Sequence, residues 1–233
     1  SPNAVFEPGE GQYAHFRPGV QGRLAELRDA FGAWWGAKAP RLAQLPGSND
    51  LLGARNDLMV AFEEALMPIG MLDRFQVTGT VAAWWDQIDY DMRTLANQGF
   101  DGLVDSWVAS VRAAVEDQES RNGQDPLDHP LVEHLLPGYL DKLDALAARE
   151  ADLKVQIAEG KRLQEDDEAD EEDVPTDDEL TELRREQRRA RKDRRELKDA
   201  FLQRLDAARA DLDADDAREL VLAIERDRLV AEL

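Results

Sequence analysis

The chain contains no cysteine among its 233 residues, which excludes disulfide bonds, thiolate metal ligands and a cysteine nucleophile. No apolar run approaches the about 18 consecutive residues that a transmembrane helix needs. The pattern of a secretory leader, in which a charged segment and an apolar run precede a small-residue cleavage site, is also missing. These absences predict a cytoplasmic protein that does not associate with a membrane.

The sequence also lacks the motifs that accompany common catalytic reactions. It has no nucleophile elbow and no phosphate-binding P-loop, and "PGEGQ" (8–12) offers one G-x-G outside any strand-to-helix context. No segment shows the alternation of a convincing strand. We therefore expect no catalytic residue and no cofactor-binding residue in this chain.

Three histidines are present, and two of them lie in "DHPLVEH" (128–134). His129 and His134 are five residues apart, about 140° around a helix, whereas helical zinc ligands share a face at a spacing of four. Pro130 suits the first position of a helix, and either Asp128 or His129 then becomes the residue that caps it. We predict a helix cap here and no metal site.

The net charge of −21 argues against a general electrostatic attraction to nucleic acid, because such binding requires clustered lysine and arginine. The charge is segregated, however. "QEDDEADEED" (164–173) holds eight acids, and "RREQRRARKDRRELK" (184–198) holds nine bases. We interpret the acidic run as a solvated linker, since it lacks the glycine and the alternating ligands of a calcium loop.

Four arginines of the basic segment recur three or four residues apart and therefore share one face of a helix. They are Arg184, Arg188, Arg191 and Arg195. Such a face can contact a phosphate backbone or a protein partner. It can also pair with acids of the preceding segment, such as Asp141, Asp144 and Glu150, or remain solvated. The sequence leaves these alternatives open.

Helical spacing of apolar residues dominates the rest of the chain. After a segment rich in proline and glycine, which we interpret as an extended arm (1–22), four amphipathic helices predict a compact domain over 23–122. Pro40 should end the first helix, and Gly99 should cap the third before a fourth begins at Asp101. The inward positions of the first two helices are predicted as Leu24, Leu27, Phe31, Trp34, Trp35, Leu51, Leu52, Leu58, Met59, Phe62 and Leu66.

The segment 126–212 has a narrower apolar seam, in which steps of three and four residues alternate. Two such arms, separated by an acidic loop (164–175), predict an antiparallel coiled-coil hairpin. The second arm should begin after Pro175, because Thr176 can cap a helix and Glu179 can return a hydrogen bond to the cap. The seam positions are Tyr139, Leu143, Leu146, Glu150, Leu153 and Ile157, then Leu180, Leu183, Gln187, Ala190, Arg194, Leu197 and Phe201.

The predicted fold class is therefore all-α: a compact helical domain followed by an antiparallel coiled-coil helical hairpin. A terminal helix over 213–233 completes the chain, with no glycine or proline to end it. Since the first residue is also not methionine, we expect a fragment of a longer protein, with the terminal helix truncated.

Two adjacent tryptophans stand in "VAAWWDQIDYDMRTL" (81–95). At 100° per residue, the apolar residues of this stretch fall within an arc of about 100°. Trp84 and Trp85 flank the arc, which predicts that they lie at the edges of the core and do not form a stacking platform. Tyr90 points about 170° away from the centre of the arc, so we predict Tyr90 and its neighbour Arg93 as contacts to a partner.

The stretch "MLDRFQVTGTVAAWWDQIDYDMRTLANQGFDGLVDSW" (71–107) resembles the region after the catalytic domain in modification subunits of type I restriction-modification systems. The family's turn of two leucines, aspartate, arginine and an aromatic residue corresponds to Met71, Leu72, Asp73, Arg74 and Phe75. The later acidic interruption, the basic heptad helix and "LDAARADLDADDARELVLAI" (205–224) resemble the C-terminal helical part of the same subunits. The similarity spans about 30–233.

This resemblance implies a parent protein that methylates adenine N6 in DNA with S-adenosylmethionine. Its partners would be a specificity subunit and a restriction subunit, and it would reach DNA through their complex. The family's catalytic Asn/Asp-Pro-Pro-aromatic motif is absent, since no two of the ten prolines are adjacent, and the glycine-rich cofactor loop is absent too. The resemblance therefore implies a non-catalytic helical part that joins the methyltransferase to its specificity subunit and helps to clasp DNA.

Two alternatives belong to other functional classes. An acidic DNA mimic or regulator would use surface carboxylates in place of phosphates, as the net charge of −21 suggests. It would need acids spread regularly over a folded surface, whereas here they concentrate beside a basic helix. A generic coiled-coil scaffold is the other alternative, and it would not need the tryptophan-rich domain.

Overall fold

The computed structural model describes residues 16–48, 50–116, 125–165 and 174–233. Within these ranges the regular structure is helical and includes no strand, which confirms the all-α class. Short 3-10 turns lie at Met67–Ile69 and Pro126–Asp128. The α-helices are α1 (Phe16–Ala43), α2 (Leu51–Leu66), α3 (Arg74–Glu116), α4 (Pro130–Leu135), α5 (Tyr139–Glu165), α6 (Asp177–Asp199), α7 (Phe201–Ala210) and α8 (Ala214–Ala231).

These helices group into two compact units, the first comprising 1–104 with 214–233 and the second comprising 105–213. The predicted division, a domain over 23–122 and a separate terminal helix over 213–233, is different. α8 belongs to the first unit, where Leu220, Val221 and Ile224 of its apolar face are buried. The spacing of apolar residues reveals that a helix has a buried face, but it does not reveal which helix covers that face.

The core of the first unit is built around tryptophan. Trp34 packs edge-on against Phe62, with 4.9 Å between ring centroids, and Trp35 lies 6.4 Å from Trp84. The indole N–H of Trp84 donates to the backbone oxygen of Glu225 at 3.0 Å and so links α3 to α8. Each such ring buries roughly 150–250 Å², so this cluster contributes a large share of the apolar surface that the unit buries.

Trp84 is completely buried and Trp85 is 3% exposed. The prediction that they lie at the edges of the core is therefore wrong. The reason is that α3 is covered from more than one side, by Trp35 of α1 and by the backbone of α8 at Glu225. An angular projection of α3 alone does not contain the second covering helix.

α1 is longer at both ends than the sequence predicts. It begins at Phe16, so residues 16–22 of the predicted extended arm are helical, and residues 1–15 lie outside the described ranges. Pro18 falls within the first turn, where a backbone N–H has no intrahelical acceptor. Pro40 does not end the helix, which continues to Ala43. Complete burial of Leu42 and Leu45 offsets the hydrogen bond that Pro40 removes.

α3 changes direction at Gly99, where φ is 74° and ψ is −174°. This conformation strongly favours glycine, and the predicted break between two helices at Gly99 is confirmed. Among the predicted inward positions before this break, Leu24 is 40% exposed and Leu52 is 68% exposed. Leu52 lies about 100° around α2 from the buried stripe that includes Leu58 and Phe62, so its prediction as an inward residue is wrong.

In the second unit, α5 and α6 lie antiparallel and pack along their length. The Gln164 amide donates to the backbone oxygen of Pro175 at 2.9 Å, and at the other end the Tyr139 hydroxyl donates to the backbone oxygen of Leu197 at 3.1 Å. The coiled-coil geometry itself stays a prediction. The buried positions of the predicted seam are Tyr139, Leu143, Leu153, Ile157, Leu180, Ala190, Leu197 and Phe201.

The boundaries of this helical pair follow local signals. α5 extends through Glu165, so the first two residues of the predicted acidic loop (164–175) are helical, while 166–173 lie outside the described residues. The predicted start of α6 is confirmed. The Glu179 N–H donates to Thr176 Oγ1 at 3.2 Å, and the Thr176 N–H donates to Glu179 Oε2 at 2.8 Å. α6 ends at Asp199, and the buried Phe201 begins α7.

Candidate functional site

The turn "LDRF" (72–75) positions the start of α3. The Gln76 N–H donates to Asp73 Oδ1 at 2.8 Å, and the Asp73 N–H donates to Gln76 Oε1 at 2.9 Å. This reciprocal pair satisfies backbone groups that a helix start leaves without partners. Arg74 Nε lies 2.7 Å from Glu63 Oε1 of α2 and fixes the turn from the side. The result is that Phe75 is held in the first turn of α3 with its ring 86% exposed.

Tyr90 lies on the same face of α3. At 100° and 1.5 Å per residue, it stands about 60° around and about 22 Å along the helix from Phe75. Its side chain is 72% exposed, as the sequence predicts. The exposed Gly79 and Ala83 lie between the two rings, as does the exposed Asp86, which stands about 20° around and about 16 Å along the helix from Phe75. We call Phe75, Gly79, Ala83 and Tyr90 the aromatic face.

Arg93 stands one turn beyond Tyr90. Its Nε lies 2.8 Å from Asp89 Oδ2, four residues earlier on the same helix. The Arg93 side chain is 64% exposed and that of Asp89 is 42% exposed, and surface pairs of this kind contribute at most about 0.5 kcal/mol. Arg93 therefore contributes a polar border to the aromatic face and little to the stability of α3.

The four predicted arginines form a row on α6. At 100° per residue they fall within an arc of about 60°, whereas the carboxylates of the same stretch are centred about 150° away. Arg195 has Asp199 Oδ2 3.5 Å from its Nε. In the described part of the chain, Arg184, Arg188 and Arg191 have no ion-pair partner, and Glu150 takes Arg194 at 2.9 Å. Pairing of the row with Asp141, Asp144 or Glu150 is therefore not found. The four carboxylates of α6 that lie opposite the arginine row are Glu182, Glu186, Asp193 and Glu196.

A cavity of about 570 Å³ runs along this side of the pair. Arg188 and Arg191 line it from α6, and Lys154 and Lys161 line it from α5, with Glu150 as the one carboxylate of the lining. Neither lysine has an ion-pair partner among the described residues. We call the four cations Lys154, Lys161, Arg188 and Arg191 the basic groove.

The other side of the seam is electrically balanced. A cavity of about 380 Å³ there is lined by three arginines and three acids. Arg149 Nη2 lies 2.5 Å from Glu186 Oε2, and Arg185 Nη1 lies 3.5 Å from Glu182 Oε2. The two faces of the helical pair therefore differ in charge. One face pairs its charges internally, and the other presents cations without ion-pair partners among the described residues.

A buried carboxylate in the first unit was not identified from the sequence. Glu225 is completely buried on α8, 3.1 Å from Arg228 Nη1, which also lies 2.6 Å from Asp91 Oδ2. Glu225 Oε2 has no hydrogen-bond partner. Burial raises the pKa of Glu225 to about 8, Arg228 opposes the rise, and Asp91 adds to it. The shared Arg228 therefore lies closer to the Asp91 carboxylate than to that of Glu225.

His129 caps α4, which confirms that explanation of the histidine motif. Its Nδ1 accepts from the Leu131 N–H at 3.1 Å, and Pro130 is the first residue of the helix. The His129 ring also lies 6.0 Å from that of Trp107. No group of three potential metal-binding side chains occurs among the described residues.

Sequence reasoning missed three of these features, although each left a signal. Lys154 and Lys161 are seven residues apart beside the seam, which places both on one side of α5. Phe75 lies in the quoted turn, and its spacing of 15 residues from Tyr90 corresponds to about 60° around a helix. Glu225 continues the four-residue spacing of the buried Ala217 and Val221.

The chain matches no family model, no curated protein and no solved structure. Across the described ranges, no helix combines the length and the apolarity required to span a bilayer.

Proposed function

We propose that this chain is a non-catalytic helical assembly module that docks onto a protein partner through the aromatic face of α3. The observation that carries the proposal is the division of the aromatic residues into a buried set and an exposed set. All five tryptophans are buried, whereas Phe75 and Tyr90 are largely in solvent and share one face of one helix. Exposed Phe and Tyr with a polar border are typical of protein interfaces.

In its narrower form, the proposal follows the resemblance to type I modification subunits. The partner is then the specificity subunit, and S-adenosylmethionine and the catalytic motif belong to the parent protein outside this chain. Support comes from the residues that carry the resemblance. Asp73 and Arg74 build the turn that holds Phe75 in solvent, so the family-like turn and the docking face are one structural feature.

The test is capture of the specificity subunit of the same system by this chain, with the affinity measured by calorimetry. Each anchoring aromatic side chain of an interface contributes about 2 kcal/mol or more. We therefore expect the double substitution Phe75→Ala and Tyr90→Ala to weaken binding at least about 100-fold. Far-ultraviolet circular dichroism should remain unchanged, because neither ring contributes to the core.

Val155→Ala is the matched control, since Val155 is 68% exposed but lies on α5 in the second unit. It should leave the affinity unchanged. Equal binding by the aromatic double variant and the unsubstituted chain contradicts docking through this face. Failure of the unsubstituted chain to capture the specificity subunit contradicts the narrower form.

A further inference from the structure

We propose that the basic groove between α5 and α6 binds the phosphate backbone of duplex nucleic acid without reading its sequence. The groove belongs to the second unit and shares no residue with the aromatic face. It therefore adds a second binding surface, and its test is independent of docking through Phe75 and Tyr90.

The first argument is the separation of charge around α6. Between Thr181 and Lys198, the carboxylates lie on the side opposite the arginine row. The row from Arg184 to Arg195 extends about 16 Å along the helix, with about 5 Å between successive guanidinium positions. A straight row of like charges matches a regular polyanion better than it matches a single carboxylate.

The second argument is that the cations of the groove are not used within the described part of the chain. Glu150, the one acid of the lining, pairs with Arg194 outside the row. Glu159 of α5 pairs with Arg162 at 2.6 Å. Cations held together without partners repel one another. Binding a polyanion relieves this repulsion and releases the counterions of the phosphates, which drives association.

The third argument distinguishes the duplex from other polyanions. Single-stranded nucleic acid is held by bases stacked on aromatic side chains, and the groove has no aromatic residue in its lining. Its floor includes the aliphatic residues Ile157 and Ala158. Guanidinium groups bind phosphate oxygens in a forked geometry, and such contacts carry no sequence information. An acidic protein segment is the other polyanion, and the experiment below includes it.

The net charge of −21 does not prevent this binding. At physiological ionic strength the Debye length is about 8 Å, so carboxylates on the far side of the pair are screened. The local charge of the groove then decides the interaction. Binding should be strong at low salt and should weaken steeply as salt rises.

The experiment is a salt titration with the full chain and a fluorescently labelled duplex of scrambled sequence, followed by anisotropy. Four groove cations predict a slope of about −3.6 in a plot of log affinity against log salt, or about a 100-fold loss between about 50 and 200 mM KCl. The double substitution Arg188→Gln and Arg191→Gln should reduce the slope by about 2 and weaken binding at least about tenfold. The double substitution Arg188→Lys and Arg191→Lys should preserve most of the slope, because the charges remain.

Arg185→Gln with Arg189→Gln is the matched control. It removes the same charge from the same helix, but from the balanced side. This control should bind like the unsubstituted chain. The proposal is overturned if the duplex does not bind at low salt, if both double variants lose affinity equally, or if polyglutamate or a single strand binds more tightly than the duplex.

Discussion

One carboxylate of the first unit and two of the second are held in opposite ways, and the directions of their pKa shifts record the difference. In the first unit, Glu225 is completely buried beside Arg228, and burial raises its pKa to about 8. In the second unit, Glu179 and Glu159 lie at the surface. A backbone hydrogen bond from Thr176 lowers the pKa of Glu179, and the side-chain hydrogen bond from Arg162 lowers the pKa of Glu159.

This contrast follows from the cores. The tryptophan cluster of the first unit is broad enough to remove a carboxylate from water, which disfavours its charged form. The seam between α5 and α6 is narrow, so most charges beside it stay hydrated and respond to nearby donors instead. The first unit should therefore lose stability as pH rises, whereas the shifted carboxylates of the second should weaken it as pH falls.

The largest expected effect concerns Glu225. Its folded-state pKa is raised, so between pH 4.5 and about 8 the folded state holds a proton that the unfolded state has released. The free energy of unfolding should therefore be highest below this window, fall by at most about 1.4 kcal/mol per pH unit within it, and become level above it. Urea titrations followed by tryptophan fluorescence measure this, because four of the five tryptophans belong to the first unit.

Glu225→Gln removes the titrating group and should flatten the profile between pH 5 and 8, which is the range that Glu225 controls. Glu219→Gln, at an exposed position of the same helix, should leave the slope as it is in the unsubstituted chain. A slope that survives in Glu225→Gln would show that another group controls the stability of the first unit. Far-ultraviolet circular dichroism at each pH checks that α8 remains helical.

Features that depend on neighbouring residues could be predicted from the sequence. The break at Gly99, the cap at Thr176 and the start of α4 at Pro130 each rest on a few adjacent residues whose backbone chemistry is the same in any fold. The exposure of Tyr90 was predicted for a similar reason, since the angle between residues of one helix is known.

Features that depend on the pairing of distant segments could not be predicted. The complete burial of Trp84 requires α8, which begins about 130 residues later in the chain. The spacing of apolar residues in α8 does not indicate which helix it packs against. The basic groove likewise requires Lys154 to face Arg191 across the seam. Unless the register of α5 against α6 is known, the residues of α5 that face the arginine row cannot be named.

The next largest effect concerns the close approach of α5 and α6. In Gly160→Ala, the new Cβ would stand 2.7 Å from Leu180 Cδ2 and 2.8 Å from Pro175 Cγ. Leu180 can move, but the proline ring is rigid, so we expect a loss of about 1–2 kcal/mol even though alanine favours helix. Urea unfolding followed by circular dichroism measures the change.

Gly32→Ala is the control in the first unit. Apart from the two neighbouring residues and the nearby backbone of α1 itself, no atom lies within 4 Å of the added Cβ. It should stabilise the protein by up to about 1 kcal/mol through helix propensity. Opposite signs for the two substitutions would confirm that the seam is tightly packed. A stabilising Gly160→Ala would contradict the close approach of α5 to Leu180 and Pro175.

The smallest expected effect concerns the cap of α6 and tests whether a surface hydrogen bond lowers the pKa of Glu179. Thr176→Ala removes the hydroxyl that accepts from the Glu179 N–H, which should cost about 1 kcal/mol of stability. The loosened cap should also let the pKa of Glu179 rise toward its ordinary value of 4.5. Carbon-detected NMR titration of Glu179 measures that rise, and Thr176→Ser should show neither change. Residue 176 keeps its backbone N–H in Thr176→Ala, so a lowered pKa of Glu179 that persists there would assign the shift to that backbone donor, whereas a full return to 4.5 would assign it to the hydroxyl. An unchanged free energy of unfolding would contradict the role of the Thr176 hydroxyl in the cap.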